Sequence, residues 1–271
     1  GLQFQKLNLN LRYKHGVIEH YALDFGVDQG RVHTKGSADL RDLGRVTFSV
    51  DPNITALQLE KVAPVFGFEK PPFTGPMTLT GQLQGHTGSR QALLTSLAGN
   101  LVTEMGPGRV TKAGRTGDLI LKILSMTSIR GVFSGSTLND LNDLNEHGIP
   151  FRKIKSQNTF GKGVMVVKGF QFVSNAMMMT AQGKDNLIEE NYDLDIKLEP
   201  LRSVGKAIGS IPLIGKTAED LTEIYLEIKG PYEKPEIRLA TEKKIGEAVK
   251  SVVKESETVN KKVEKGFMKI F

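Results

Sequence analysis

Apolar and polar residues alternate along the first third of the chain. In the first segment Asn8, Asn10 and Arg12 separate apolar residues, and later segments repeat this alternation. A period of two is typical of β-strands that have one apolar and one polar face. The turn at His15-Gly16 and other glycine-bearing turns separate the segments, which predicts an antiparallel meander. The apolar positions are Leu7, Leu9, Leu11 and Tyr13; Tyr21, Leu23, Phe25 and Val27; Val46, Phe48 and Val50; and Met77, Leu79 and Leu83.

Segments of helical character interrupt the strands. We expect short helices over about 89–98, 116–130, 137–147 and 201–222. Strands return from about 151 to 181, at 192–198, at 223–229 and at 236–239. From 241 to 271 there is no proline, and apolar residues recur at helical spacing, which predicts an amphipathic helix of about 45 Å. The sequence therefore predicts a β domain over 1–240 and a lysine-rich C-terminal helix over 241–271.

The composition is that of a folded chain without disulfide bonds. The chain has 271 residues, no cysteine, 39% hydrophobic residues and a net charge of +6. This length can bury a core, and the absence of cysteine excludes a thiolate metal site or a cysteine nucleophile. No run approaches the roughly 20 apolar residues of a spanning helix. Because the chain begins inside an apparent strand, we interpret it as a fragment of a longer protein.

No motif indicates catalysis. The segment GSIPLIGKT at 209–217 has five rather than four residues between its first glycine and Gly215, so it does not match a phosphate-binding loop. The five histidines lack partners at metal-ligand spacing. Asp193 and Asp195 share one strand parity, which suits an acid–base pair or, more simply, the wet face of a strand. We expect no enzyme, no cofactor and no metal.

The basic charge does not indicate nucleic acid, because the aromatic residues lie mainly at apolar positions rather than among exposed basic residues. The tail is more informative, with eight lysines and five glutamates over 241–271. Two interpretations stay open. The tail closes the sheet or binds a partner, or it touches a membrane surface. In the second case the membrane-contact candidates are Phe267, Met268, Ile270 and Phe271.

Several segments together resemble the C-terminal region of AsmA-like proteins. They are GPMTLTGQLQG, SRQALLTSLAGNLVTEMGPGRV, DLILKILSMTSIRGVFSG, NEHGIPFRKIKSQNTFGKGVMVVKGFQFVSNAMMMTAQGK, NYDLDIKLEPL, IPLIGK and YLEIKGPYEKPEIRL. The resemblance lies in their order and spacing. It implies a curved antiparallel sheet with a hydrophobic groove, in a Gram-negative envelope protein. The groove domain would lie in the periplasm, held to the inner membrane by an N-terminal helix outside this fragment. The long, charged tail departs from the family.

The resemblance and the alternation together predict a role in moving phospholipid between membranes without catalysis. Met177 and Met179 share one parity and Met178 the other, so one set lines the groove or fills the core. An assembly factor for outer-membrane or other envelope proteins is the alternative, since an open sheet edge can pair with a client strand. An enzyme acting on envelope glycans would need paired carboxylates in a cleft. The lipid-groove candidates are Leu7, Leu9, Leu11, Tyr21, Leu23, Phe25, Val46, Phe48, Leu79, Met177, Met179, Leu194 and Ile196.

Overall fold

A computed structural model describes residues 4–67, 69–111, 117–120, 122–123, 148–175, 177–200 and 223–240. Most of these residues form one antiparallel sheet of twelve strands, in the order β1-β2-β3-β4-β5-β6-β9-β10-β11-β12-β13-β14. The sheet is not closed, so β1 and β14 are its two edges. A small sheet pairs β7 with β8. No helix among the described residues has the length and hydropathy needed to cross a membrane.

The strands follow one another along the chain, as expected for a meander. Their bounds are β1 Phe4–Lys14, β2 Val17–Val27, β3 Gly30–Asp39, β4 Thr47–Gln58, β5 Pro76–His86, β6 Ala98–Met105, β7 Gly108–Val110, β8 Ile149–Phe151, β9 Lys153–Gly161, β10 Val164–Val173, β11 Met177–Asn186, β12 Asn191–Pro200, β13 Ile224–Pro231 and β14 Glu236–Leu239. Helix α1 spans Leu59–Val62, a 3-10 turn spans Ala63–Phe66, and helix α2 spans Arg90–Ser96. Residues 117–120 and 122–123 are also helical.

Two-residue turns set the register of two hairpins. His15 and Gly16 both have positive φ values, of 48° and 80°, between β1 and β2. Lys162 and Gly163 repeat this conformation between β9 and β10, with φ values of 53° and 78°. Two consecutive left-handed residues match the right-handed twist of the flanking strands, and glycine adopts this conformation without a steric penalty. The predicted turn at His15-Gly16 is confirmed.

Directly paired residues share a face of a sheet, so the register defines two faces. We call one the apolar face. One row of its residues crosses eleven strands and consists of Leu11, Tyr21, Gly36, Val50, Leu83, Gly99, Phe160, Met165, Asp185, Tyr192 and Gly230. The opposite surface, the polar face, carries rows such as Lys184, Asp193, Lys229 and Glu236. The alternation predicted from the sequence is therefore confirmed, and all of its apolar strand positions lie on one side.

The apolar face is covered over its C-terminal half. The buried core there joins inward residues of β6 and β9–β13 to residues of β7, of β8 and of the helical residues 117–120 and 122–123, which we call the helical segment. Val110, Ile149 and Phe151 of the small sheet and Ile120 and Ile123 of the helical segment belong to this core. A second, smaller core lies at the β2–β4 end, where Val27 and Leu57 pack with Val62 of α1. Between these covered regions, the apolar face of β1–β5 has much less cover.

Most predicted elements are confirmed and some lie outside the described residues. The helix expected at about 89–98 is α2, and the strands expected at 192–198, 223–229 and 236–239 are β12, β13 and β14. Within the helix expected over 116–130, the described residues 117–120 and 122–123 are helical. The helices expected at 137–147, 201–222 and 241–271 lie outside the described residues, as does the segment 209–217. The division into domains stays a prediction.

Candidate functional site

Large apolar side chains are exposed on the apolar face of β1. Leu7, Leu9 and Leu11 are 70%, 62% and 50% exposed, and Tyr13 is exposed as well. Residues two positions apart on a strand point to the same face, so these side chains form one row. They are exposed because β1 is an edge strand and few of the described residues cover it. Leu7 lies beside a β-bulge, where the register with β2 shifts between Gln5 and Asn8. The edge of the sheet therefore presents an apolar surface to its surroundings.

The apolar surface continues inward from β1 with decreasing exposure. Tyr21, Leu23 and Phe25 of β2 are half-buried and pair with β1 residues or lie beside them. Phe48 of β4 and Leu79 of β5 are also half-buried and have the same orientation. Val46 is half-buried and comes just before β4, where its amide donates a hydrogen bond of 2.9 Å to the Thr87 hydroxyl. These candidates form one surface, which we call the open apolar surface of β1–β5.

The remaining lipid candidates lie in the covered half of the same face. Met177 and Met179 are each only 1% exposed, and Leu194 and Ile196 are also buried. All four belong to the core beneath the small sheet and the helical segment. Met178 points to the polar face, where its sulfur lies 3.2 Å from the Gln171 side-chain amide. The predicted split between Met178 and its two neighbours is therefore confirmed, and Met177 and Met179 both lie in the buried core.

Two short helices lie at opposite ends of the open apolar surface. At one end, Val62 of α1 packs on Val27 and Leu57, while Lys61 pairs with Asp28 at 3.0 Å. At the other end, Arg90 of α2 pairs with Glu190 in the β11–β12 turn at 2.8 Å. The Ser89 side chain caps α2 by accepting a hydrogen bond of 3.1 Å from the Ala92 amide. The open surface is thus bounded at both strand ends.

Glycines allow β5 and β6 to approach closely on the apolar face. A Cβ added to Gly81 would lie 2.1 Å from the Asn100 carbonyl oxygen, and one added to Gly99 would lie 2.0 Å from the Gln82 carbonyl oxygen. Both glycines also have positive φ values, of 155° and 138°. A glycine in a strand interior often marks a bend or a close backbone approach. This pair lies where the open apolar surface meets the covered half.

Ion pairs organise the polar face. Lys229 lies 3.1 Å from Glu227 on its own strand and 3.6 Å from Asp193 on the neighbouring strand. Lys197 pairs with Glu199 and lies 2.7 Å from Glu223, and the hydrogen bonds to these carboxylates raise the pKa of Lys197 above its usual range. Opposite charges on adjacent strands stabilise a wetted sheet face. The polar face is consistent with exposure to water.

The two carboxylates considered for catalysis, Asp193 and Asp195, lie on this polar face. Asp193 is exposed and close to Lys229, and Asp195 pairs in register with Glu227 of β13. Among the other polar candidates, the His33 ring lies 3.3 Å from Asp24, and the His86 ring lies 3.0 Å from the Thr87 carbonyl oxygen. His147 lies outside the described residues. No group of three or more potential metal ligands occurs in the part of the chain that the structure describes.

Comparison with protein families identifies the chain. The model of the AsmA family matches residues 1–167, which are more than half of the chain and include all of β1–β9. The chain belongs to the AsmA family. Searches of curated proteins and of solved structures found no significant match. The AsmA family is generally associated with the cell envelope.

Several features of this AsmA-family sheet have little or no signal in the sequence. Strand β3 turns small residues, including Gly36 and Ala38, toward the apolar face, so its alternation is weak. Strand β6 includes Gly99 and Thr103 among its inward positions, with the same effect. Helix α1 has only four residues, which is too short for a period of 3.6 to show. The pairing of β6 with β9 across a long connection has no local signal in the sequence.

Proposed function

We propose that the open apolar surface of β1–β5 binds the acyl chains of phospholipids and lets them pass along the sheet without chemical change. The single observation that carries the proposal is the row of exposed apolar residues on β1, continuous with the apolar face of the other strands. Acyl chains are fluid and need an apolar surface rather than directed polar contacts. Membership of the AsmA family supports a role of this kind in the envelope.

The energetics favour such binding. Each methylene removed from water gains about 0.8 kcal/mol, so roughly ten methylenes gain about 8 kcal/mol. The side chains of Leu9 and Leu11 would also lose contact with water in the complex. Adjacent positions along the sheet have similar apolar chemistry, so an acyl chain has a similar binding free energy at each of them. It can therefore move along the sheet without first escaping from a single tight binding site.

Because the AsmA family is associated with the cell envelope, the proposed lipid binding fits a location in the envelope. We place the sheet in the periplasm, with the full-length protein held in the inner membrane and the lipid moving between inner and outer membranes. The membrane-contact candidates Phe267, Met268, Ile270 and Phe271 lie outside the described residues. Contact of the C-terminal segment with a membrane surface therefore stays a prediction.

A vesicle assay with matched variants tests the proposal. Leu9→Glu with Leu11→Glu places two carboxylates on the apolar face, whereas Asn8→Glu with Asn10→Glu places two on the polar face of the same strand. All four positions are exposed, and both pairs change the net charge by the same amount. We expect the apolar-face pair to reduce transfer of labelled phospholipid between vesicles at least tenfold and the polar-face pair to have little effect. Equal transfer by both variants would contradict the proposal.

The edge of the sheet supports a second candidate function. All eleven residues of β1 are exposed, and its outer edge has no partner strand among the described residues. An exposed edge can add a strand from another chain, which is how an assembly factor for outer-membrane or other envelope proteins would hold its client. Purification of the protein with unfolded porin segments and without lipid would favour this candidate over lipid transport.

A further inference from the structure

An apolar cavity that is partly open to its surroundings lies in the covered half of the sheet, away from β1. Its volume is about 330 Å³, and it lies between the sheet and the helical segment. Leu119, Ile120 and Ile123 form its wall on the helical side. The sheet side is mostly apolar and includes Met105, Met165, Phe170, Met179, Leu194 and Ile196. Protein interiors contain few voids larger than a water molecule, so a cavity of this size in an apolar core indicates room for a ligand.

A polar space adjoins the cavity. Its volume is about 660 Å³, and the two spaces share Leu119 and Tyr192 as lining residues. Asp118, Lys122 and Glu233 line the polar space, and the first of these lies one residue before the shared Leu119. The amphipathic sequence of the helical segment explains this division, because Asp118 and Lys122 are exposed while Ile120 and Ile123 are buried. A polar space therefore lies next to the apolar cavity, and we call it the mouth.

The boundary between cavity and mouth is built from aromatic and acidic side chains. The Tyr232 hydroxyl donates a hydrogen bond to Asp185, whose side chain also lines the cavity. The rings of Tyr192 and Tyr232 lie 4.4 Å apart between centroids, and the Tyr232 amide donates a hydrogen bond of 2.8 Å to the Glu190 carbonyl oxygen. These contacts hold the boundary in place without help from the open apolar surface. An apolar chamber with an ordered polar rim fits an amphiphilic molecule with one tail.

We propose that this cavity binds one acyl chain of a lysophospholipid whose head group contains an amine and remains in the mouth. This inference rests on the proposed lipid-binding function but concerns a different part of the sheet. A volume of about 330 Å³ corresponds to roughly ten groups of the size of a water molecule, which suits one chain of about ten to twelve carbons. The mouth supplies Lys122 for a phosphate and the acids Asp118 and Glu233 for an ammonium group.

The charges of the mouth favour binding of this lysophospholipid over binding of a free fatty acid. Among the described residues that line the mouth, Asp118, Glu190 and Glu233 are acidic and Lys122 is basic, and Arg90 already pairs with Glu190. A lone carboxylate head would meet like charges, whereas a head with both ammonium and phosphate finds partners of both signs. The tail contacts would be the same for both ligands. Head-group chemistry should therefore decide which of them stays bound.

Native mass spectrometry of the full chain with two probes tests the inference. The probes are a lysophosphatidylethanolamine with a twelve-carbon chain and dodecanoic acid. Ala181→Met and Thr103→Leu each add volume inside the cavity, and Thr180→Met adds it on the polar face of the same strand as a control. Two separate cavity variants keep the test valid if one of them fails to fold, which circular dichroism would reveal.

We expect a one-to-one adduct with the lysophospholipid, a weaker one with dodecanoic acid, and at least a tenfold loss of the lysophospholipid adduct in both cavity variants. Absence of the adduct, or equal adducts in wild type and folded cavity variants, would overturn the inference. Equal retention of the two probes would overturn the head-group assignment. Transfer in the vesicle assay depends on Leu9 and Leu11 rather than on Ala181, so the proposed function can fail or hold independently of this result.

Discussion

Arg90 donates a hydrogen bond of 2.8 Å to Glu190, although a hundred residues of sequence separate them. Arg90 begins α2 in the β5–β6 connection, and Glu190 lies in the turn between β11 and β12. On a flat sheet these connections would be four strand spacings apart, or about 19 Å. The contact therefore links the β5–β6 connection, beside the open half of the apolar face, to the β11–β12 turn in its covered half.

The first prediction concerns the strength of this pair. Both side chains are largely exposed, so the pair should contribute only about 0.2–1 kcal/mol to the free energy of unfolding. A double-mutant cycle with Arg90→Ala and Glu190→Ala, measured by urea denaturation, gives the coupling energy directly. We expect the coupling to decrease in 1 M salt. A coupling above 2 kcal/mol, insensitive to salt, would contradict this view of the contact.

The second prediction compares the two halves of the apolar face. Leu198 is fully buried in the covered half, whereas Leu9 is 62% exposed at the edge. Leu198→Ala should reduce the free energy of unfolding by about 2–5 kcal/mol, because it removes packed atoms and leaves a cavity. Leu9→Ala should change it by less than about 0.5 kcal/mol. Chemical denaturation of both variants checks the contrast, and similar losses would mean that β1 is covered in solution.

The third prediction concerns a hydroxyl on the apolar face of β3. The Thr34 side-chain oxygen is buried and is without a hydrogen-bond partner within the described part of the protein. A buried polar group without a partner is destabilising, so Thr34→Val should raise the free energy of unfolding by about 1 kcal/mol. Thr55→Val on the exposed polar face of β4 is the matched control and should have little effect. A destabilised Thr34→Val protein would indicate that the hydroxyl has a partner.

The fourth prediction concerns acid titration at the β3–β4 loop. Hydrogen bonds from Arg41 lower the pKa of Asp39 from 3.8 to about 2. Because the folded pKa lies below the unfolded value, the interaction stabilises the protein above pH 4 and is lost as the pH falls from about 4 to 2. Carboxyl chemical shifts measured by NMR should show Asp39 titrating near pH 2, and Arg41→Gln should move it back toward 3.8. An unchanged midpoint in this variant would contradict the assignment.

The sequence predicted the two faces well because alternation is a local property. The spacing of Leu9, Leu11 and Tyr13 placed them on one side, and the register confirms it. The sequence did not reveal which apolar residues are covered, since Leu9 and Met179 look alike in a pattern of period two. Cover depends on the long connection between β6 and β9, which brings Val110 and Phe151 over the core. The cavity next to Ile120 and Ile123 depends on the same tertiary contacts and had no sequence signal.

Site-specific photo-crosslinking tests most directly whether the apolar face of β1 touches lipid. A photoreactive phenylalanine analogue is placed singly at Leu9, Leu11, Asn8 or Asn10, and the protein is irradiated with phospholipid vesicles. These four adjacent positions share one exposed strand and differ mainly in the face to which they point. We expect lipid adducts at Leu9 and Leu11, and few at Asn8 and Asn10. Adducts at Asn8 and Asn10 without adducts at Leu9 and Leu11 would contradict the account.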